Sequence, residues 1–302
     1  MQTRQIGSLN VSIVGLGCNN FGRRLDAEAT ARVVNAALDA GINFFDTADI
    51  YGTGQSEDYL GRALGSRRSN VIIATKFGVE MDGEGGGAHP DYIRTAVEAS
   101  LRRLKTDYID LYQLHTPDAT VPIADTLGAL NELVQSGKVR EIGCSNFTAE
   151  MLRDAEAGTP ANRARFVSVQ NYYSMLHREP EADVLPECER LNLAFLPYFP
   201  LERGLLTGKY RRGQPKPENT RLSNTDLVTD EVLTIVERLV EFAEGHGHTI
   251  LDLAVSWLLA RPVTASVIAG ATNPQQIQAN ANAASWQLTA AELAEVDALL
   301  QK

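Results

Sequence analysis

The chain has 302 residues, 44% of them hydrophobic and 7% aromatic, a globular composition with enough apolar mass for one large core. Its 28 basic against 38 acidic residues leave a formal charge of -10, which excludes a general nucleic-acid binder or a protein held electrostatically on an anionic membrane. Cys18, Cys144 and Cys188 show no CxxC spacing and no apolar run approaches a membrane span, so the expectation is a cytoplasmic protein without disulfides or a metal site.

Residues 3–13 alternate around Gly7-Ser8 and read as a small hairpin, after which 13–17 is the first strand of a larger sheet. A helix is expected from Asp26, an N-cap residue type, to Ala40, with Gly41 just past its end. Strands at 43–48, 71–77, 109–115 and 139–145 then alternate with helices at 56–64, 90–104, 122–136 and up to 157. The Gly-rich run 82–87 after the third strand reads as a loop. A sixth strand at 166–170, a helix at 180–190 and a seventh strand at 193–198 continue the alternation. A long Gly, Pro and charge-rich connection follows from 202 to 228, including Pro215-Lys216-Pro217, and connections of that length are usually functional. Helices at 230–245 and 249–260, an eighth strand at 265–270, and helices at 274–284 and 289–300 close the chain.

Eight strands alternating with helices predict an α/β fold, a (β/α)8 TIM barrel in one domain over 1–302, with an N-terminal hairpin and additional C-terminal helices. A doubly wound dinucleotide fold is the rival, marked by GxGxxG between its first strand and helix. Gly15-Leu16-Gly17-Cys18-Asn19-Asn20-Phe21-Gly22 has the first two glycines and misplaces the third, which removes that rival.

Three strands end on chemistry. Asp46 and Tyr51 follow Phe44-Phe45, Lys76 ends 71–75, and His115 ends 109–114. In a parallel barrel those ends share the face on which catalysis is built. A strand-end Asp is often only a cap, and a lone His is more often structural. Lys76 is harder to dismiss, because an ammonium on an apolar strand is costly unless paired. Together they suggest Tyr51 as a general acid whose pKa Lys76 lowers, Asp46 as the group holding Lys76, and His115 as the group orienting a carbonyl oxygen. His89, His177, His246 and His248 have no evident partners and read as surface residues. A barrel lyase using Lys76 as a Schiff-base amine is the other chemistry these residues allow, although an adjacent Asp46 opposes the neutral amine it needs.

The sequence resembles the aldo-keto reductases, in a bacterial branch similar to potassium-channel β-subunit-like and auxin-induced-type members. The matching segments are Asp46-Thr47-Ala48-Asp49-Ile50-Tyr51-Gly52, Ala74-Thr75-Lys76, 107–115, Gly143-Cys144-Ser145-Asn146-Phe147, Val169-Gln170-Asn171-Tyr172, 204–210 and 270–276. The resemblance implies reduction of aldehydes or ketones with NADPH by a tetrad that maps onto Asp46, Tyr51, Lys76 and His115. It further implies that Ser145 and Asn146, helped by Gln170, bond the nicotinamide carboxamide, and that Tyr198 stacks on the nicotinamide. Gly17, Asn19 and Asp46 would approach the ribose, Pro200, Leu201 and Gly204 the pyrophosphate, and Gln276 and Asn280 the adenine end. Lys209, Gly270 and Thr272, in two of the matching segments, complete the cofactor side.

Two departures bear on the cofactor. Relatives often carry Ser-Pro-Leu where this chain has Phe199-Pro200-Leu201, so a hydroxyl to phosphate is missing. No Lys or Arg lies in 271–280, where many relatives place one for the 2′-phosphate. The helix start at Asn273-Pro274, with free N–H groups, or Lys209, Arg203, Arg211 or Arg212 would have to serve an anion instead. NADP(H) is therefore expected, with NAD(H) as the alternative, alongside a small-molecule carbonyl substrate and a monomer or weak homo-oligomer. Phe21, Met81 and Tyr112 are the residues proposed to line the substrate pocket. The connection 203–228 is expected to close over bound cofactor as a lid. A redox-sensing regulatory subunit that holds NADP(H) and turns over slowly is the second reading.

Overall fold

Thr3–Ile6 (β1) and Leu9–Ser12 (β2) form an antiparallel hairpin that turns at Gly7-Ser8. In the structure, a computed structural model describing residues 1–81, 85–215, 217–218, 220–222, 225 and 227–301, eight further strands follow. They are β3 (Val14–Gly17), β4 (Phe44–Asp46), β5 (Ile72–Phe77), β6 (Ile109–Leu114), β7 (Val139–Ser145), β8 (Phe166–Tyr172), β9 (Ala194–Tyr198) and β10 (Val267–Gly270). Their apolar residues are buried on both faces, which suits parallel strands covered by helices. All neighbours are parallel, in the order β10-β3-β4-β5-β6-β7-β8-β9. The seam between β9 and β10 is drawn together at Phe195, whose N–H donates to Val263 O at 2.7 Å and whose carbonyl accepts from Ala265 N at 3.0 Å. The result is the nearly closed eight-stranded barrel that the alternation predicts.

The hairpin covers the N-terminal mouth of the barrel. Ile6, Leu9 and Val11 join Phe44, Ala74, Leu111, Leu196, Ala265 and Ile268 in one apolar cluster inside it. Burying each such side chain contributes about 1.5–3 kcal/mol. The C-terminal ends of the strands form the mouth that the hairpin leaves unplugged.

The helices are α1 (Ala27–Asp39), α2 (Gln55–Leu64), α3 (Pro90–Leu104), α4 (Ile123–Gln135), α5 (Ala149–Ala157), α6 (Val184–Leu191), α7 (Asp230–Gly245), α8 (Ile250–Leu259), α9 (Pro274–Asn282) and α10 (Ala290–Leu300). Their starts follow cap chemistry: Asp26 accepts from Ala29 N at 2.8 Å, and Thr249 with Asp252 and Thr289 with Glu292 form reciprocal capping boxes. Among the described residues no helix is long and apolar enough to cross a membrane.

Several local expectations change. The helix expected over 180–190 divides into a 3-10 turn at Glu179–Glu181 and α6, because the chain turns between them at Asp183. The long connection begins as a 3-10 segment, Glu202–Thr207, rather than as loop. Residues 82–84 of the Gly-rich run, and 216, 219, 223, 224 and 226 of the connection, Lys216 among them, lie outside the described residues. The four histidines read as partnerless all have partners. His89 caps α3 by accepting from Asp91 N, His177 stacks on Tyr172 at 3.7 Å, His246 packs on Phe242 at 4.4 Å and His248 stacks on Trp286 at 4.2 Å.

Candidate active site

Every strand of the barrel delivers its expected site residue to the same end. Asp46 closes β4, Lys76 is the penultimate residue of β5, and His115 follows β6, its N–H donating to Phe77 O at 2.9 Å. Lys76 is completely buried, and such an ammonium needs several compensating bonds. It has them: Nζ donates to both carboxylate oxygens of Asp46 at 2.8 and 2.7 Å and to the Thr47 carbonyl at 2.8 Å. Burial works against the charge, but Asp46 and then Tyr51 outweigh it and the Lys76 pKa is raised. An ammonium held by these three bonds is a poor nucleophile, which argues against the Schiff-base chemistry. Two amides hold Asp46 from the far side, Gln170 Nε2 at 2.9 Å and Gln113 Nε2 at 3.4 Å, both donating to Oδ1.

Tyr51 stands above this pair. Lys76 Nζ lies 5.2 Å from its ring centroid and the His115 ring meets it edge-on at 5.9 Å. The expected lowering of its pKa is overturned. Burial raises it, Lys76 pulls it down by charge and hydrogen bond, Asp46 raises it again, and the balance lies above the ordinary value. Tyr51 therefore keeps its proton at neutral pH. His115 is pushed down to about 3, by burial first and Lys76 second, so its imidazole is neutral. Its Nδ1 is buried without a hydrogen-bond partner among the described residues.

Ser145 closes β7 and its hydroxyl donates to Gln170 O at 2.7 Å. Asn146 adopts a left-handed φ of 61°, and its amide nitrogen donates to His115 O at 2.9 Å and to Ser145 Oγ at 3.2 Å. Tyr198, the last residue of β9, donates its hydroxyl to Asn146 Oδ1 at 2.9 Å. Ser145, Asn146 and Tyr198 thus come together as expected. Gln170 reaches the same place but spends its amide N–H on Asp46. The proposed pocket residues Phe21, Met81 and Tyr112 are buried, with Tyr112 stacked on Phe77 at 4.6 Å.

A model described as Aldo/keto reductase family matches residues 13–301. The chain belongs to the aldo/keto reductase family. It is 34% identical to Aldo-keto reductase YhdN of Bacillus subtilis (strain 168), over 97% of this chain and 91% of that protein. It is 35% identical to the Probable voltage-gated potassium channel subunit beta of Arabidopsis thaliana, over 94% of this chain and 91% of that protein. Among solved structures it is similar to the glycerol dehydrogenase AKR11B4 from Gluconobacter oxydans, with a TM-score of 0.87 and 33% identity over 99% of this chain and 95% of that one.

In this aldo/keto reductase Gly17, Asn19, Gly204 and Gly270 stand near a group of cations. Gly17 and Gly270 are register partners where β3 meets β10. Beside them Arg221 Nη2 donates to Asn19 Oδ1 at 2.7 Å and Asn20 Oδ1 at 3.2 Å. Burial and the charge of Arg24 lower the pKa of both Arg221 and Lys209, with Arg23 and Arg203 adding to the repulsion at Arg221. Lys209, Arg203 and Arg221 meet no carboxylate among the described residues. Gly204, two residues past the Pro200-Leu201 pair and its neighbour Glu202, has φ 108°, and a Cβ there would stand 2.6 Å from Lys209 Nζ. Arg211 and Arg212 turn away toward Glu244 at 3.6 Å and Glu237 at 3.5 Å on α7, so only half of the four basic residues proposed for an anion face it.

Arg221 and Arg24 had no signal in the sequence. Nothing in local spacing says that residue 221 returns to Asn19 some two hundred positions away. The helix start at Asn273-Pro274 is less open than expected: Asn273 Oδ1 takes the Gln276 N–H at 2.9 Å, and Gln276 Oε1 takes the Thr272 N–H at 2.7 Å. Asn280 lies buried one turn further along α9.

Proposed function

We propose that this chain reduces aldehydes or ketones to alcohols with NADP(H), with NAD(H) as the second choice of cofactor. The observation that carries the reading is a half-buried Tyr51 set over an ammonium that donates to both carboxylate oxygens of Asp46. The nicotinamide, when bound, supplies a hydride to the carbonyl carbon. Tyr51 gives its proton to the carbonyl oxygen, and Lys76 offsets the charge left on the phenolate. His115 donates a hydrogen bond to the same oxygen. With Nδ1 enclosed and lacking an acceptor, placing the imidazole proton on Nε2 avoids a buried orphan donor.

Ser145 and Asn146 suit the carboxamide, Tyr198 suits the nicotinamide face, and Gln170 keeps Asp46 in place. Lys209, Arg203, Arg221 and Arg24 suit a ligand bearing several phosphate charges, which favours NADP(H) despite the absence of a basic residue in 271–280. Gly17, Asn19, Pro200, Leu201, Gly204, Gly270, Thr272, Gln276 and Asn280 line the path between these ends in the proposed binding mode.

Tyr51→Phe is expected to lower kcat by about 10²–10⁴-fold with NADPH affinity kept. Turnover near the wild-type rate in that variant rejects the assignment. The potassium-channel relative supports the second reading, a cofactor-holding subunit with slow turnover. Tight NADPH binding without steady turnover on any of a panel of aliphatic and aromatic aldehydes would favour it.

A further inference from the structure

Tyr172 and Tyr198 are register partners in β8 and β9, so their rings leave adjacent strands side by side. They stack at 5.5 Å between centroids and 17° between planes. The opposite face of Tyr172 is covered by His177, at 3.7 Å and 9°. Phe199 meets both tyrosines edge-on, at 5.6 and 5.3 Å. The Tyr172 hydroxyl donates to Glu202 Oε2 at 2.6 Å, and Ser174 donates to the other oxygen of that buried carboxylate. Both faces, an edge and the polar tip of Tyr172 are therefore engaged, which leaves it no alternative rotamer without breaking several contacts.

The segment that supplies these contacts has an unusual backbone. Phe199, Glu202 and Arg203 have φ of 52°, 47° and 53°, three non-glycine residues in the left-handed region within five positions. Such conformations persist where the surroundings over-determine them and they concentrate at ligand clamps. Here the bonds from Tyr172 and Ser174 to Glu202 do the over-determining.

We propose that Tyr172 is the positioning residue that fixes the plane of Tyr198, so that Tyr198 is presented to the nicotinamide at a set angle. The inference rests on the reading of Tyr198 as the stacking platform. Tyr198 is held by its hydroxyl on Asn146 and edge-on by Phe199, and among the described residues Tyr172 is the one ring stacked parallel to it. Without Tyr172 it pivots about the Asn146 bond, and a stacked ligand ring must order it on binding. The same residue ties the platform to the Glu202 segment, which carries Leu201 and Gly204 on either side.

NADPH binding, followed by its fluorescence on titration into the purified chain, tests this without any turnover. Tyr172→Leu is expected to weaken NADPH by about five- to tenfold, the scale of one aromatic pair. Tyr172→Phe keeps the ring and should recover most of that affinity. In a Tyr198→Leu background, adding Tyr172→Leu should change nothing further, because its target is gone. A Tyr172→Leu chain that binds as wild type overturns the proposal. So does a loss of equal size with Tyr172→Phe, or one that persists in full in the Tyr198→Leu background, since either means Tyr172 acts other than through the stack. If the wild-type chain binds neither NADPH nor NADH, the site reading itself fails and this inference falls with it.

Discussion

Asp49 is a carboxyl that none of the proposed chemistry uses and that titrates where the protein works. It is 1% exposed, between β4 and Tyr51, with its N–H donating to Lys76 O at 3.2 Å and its Oδ1 accepting from Ile50 N at 2.6 Å. Burial first, and then the buried Glu57, push it up to about 7, against weaker pulls from the Ile50 bond, Arg103 and Lys76. A carboxyl raised above its unfolded value binds its proton more tightly in the folded chain. Its contribution to stability is whole below the unfolded pKa and is lost as pH rises through about 7. The climb from 3.8 to about 7 costs the folded state about 4 kcal/mol once both states are ionised. Asp49→Asn removes that penalty and can still accept from Ile50 N. Urea unfolding should find the variant stabilised by about 2–3 kcal/mol more at pH 8.5 than at pH 5, and equal gains at both would refute the assignment. His115 behaves oppositely: at about 3 it stays neutral through the working range and puts no limb near 6.5 in a pH–rate profile. Asp46, Lys76 and His115 could be read together because each falls at or next to a strand end, with Tyr51 in the loop five residues past Asp46. The state of Tyr51 could not be read, because its pKa turns on how completely the fold encloses it, and spacing along a chain says nothing about enclosure.

At the scale of elements, α2 holds the loop that carries Tyr51, and its distance from α3 is set at one residue. Gly61 faces α3 so closely that a Cβ would stand 2.4 Å from Leu104 O, a backbone atom that cannot rotate away. Gly61→Ala is expected to destabilise by about 1–3 kcal/mol despite alanine's better helix propensity, because α2 and α3 must separate. Thermal unfolding checks it; an unchanged or raised Tm would mean that α3 yields freely. Strands and helices were legible here because apolar runs flanked by Gly, Pro and cap residues repeat eight times. Asp26, Thr249 and Thr289 mark helix starts that the structure bears out with side-chain bonds. Elements that depend on distant partners were not legible. The Glu202–Thr207 segment looks like loop in the sequence and is ordered by Tyr172 and Ser174, which reach it from β8. The strand expected over 265–270 begins two residues late, since Ala265 gives its N–H to Phe195 at the barrel seam and only then does the chain pair with β3.

At the scale of the molecule, a chain of net charge -10 concentrates Arg23, Arg24, Arg203, Lys209 and Arg221 at one end of its barrel. Burial first, and then repulsion among these like charges, lower the pKa of Lys209 and Arg221. A phosphorylated dinucleotide would turn the repulsion into attraction. Three of these cations, Arg203, Lys209 and Arg221, belong to the connection 203–228, and Arg221 already fastens it to Asn19 and Asn20. Bound cofactor should therefore hold the connection down more firmly than the two asparagine bonds do alone. Trypsin offers a direct measure, because Lys209, Arg211, Arg212 and Arg221 are all cleavage sites within it. If the connection must lift before it is cut, and lifting requires release of cofactor, NADPH at a hundred times its Kd slows cleavage by up to about 100-fold. Cleavage after Arg163, in the loop between α5 and β8, should not change and serves as the internal control. Equal rates of cutting at Arg221 with and without NADPH, in a chain shown to bind it, would mean that the connection does not close over the cofactor. A rate that falls for NADPH and not for NADH would place the lock at the 2′-phosphate, and would assign Lys209, Arg221 and their neighbours the role that residues 271–280 lack the charge to fill.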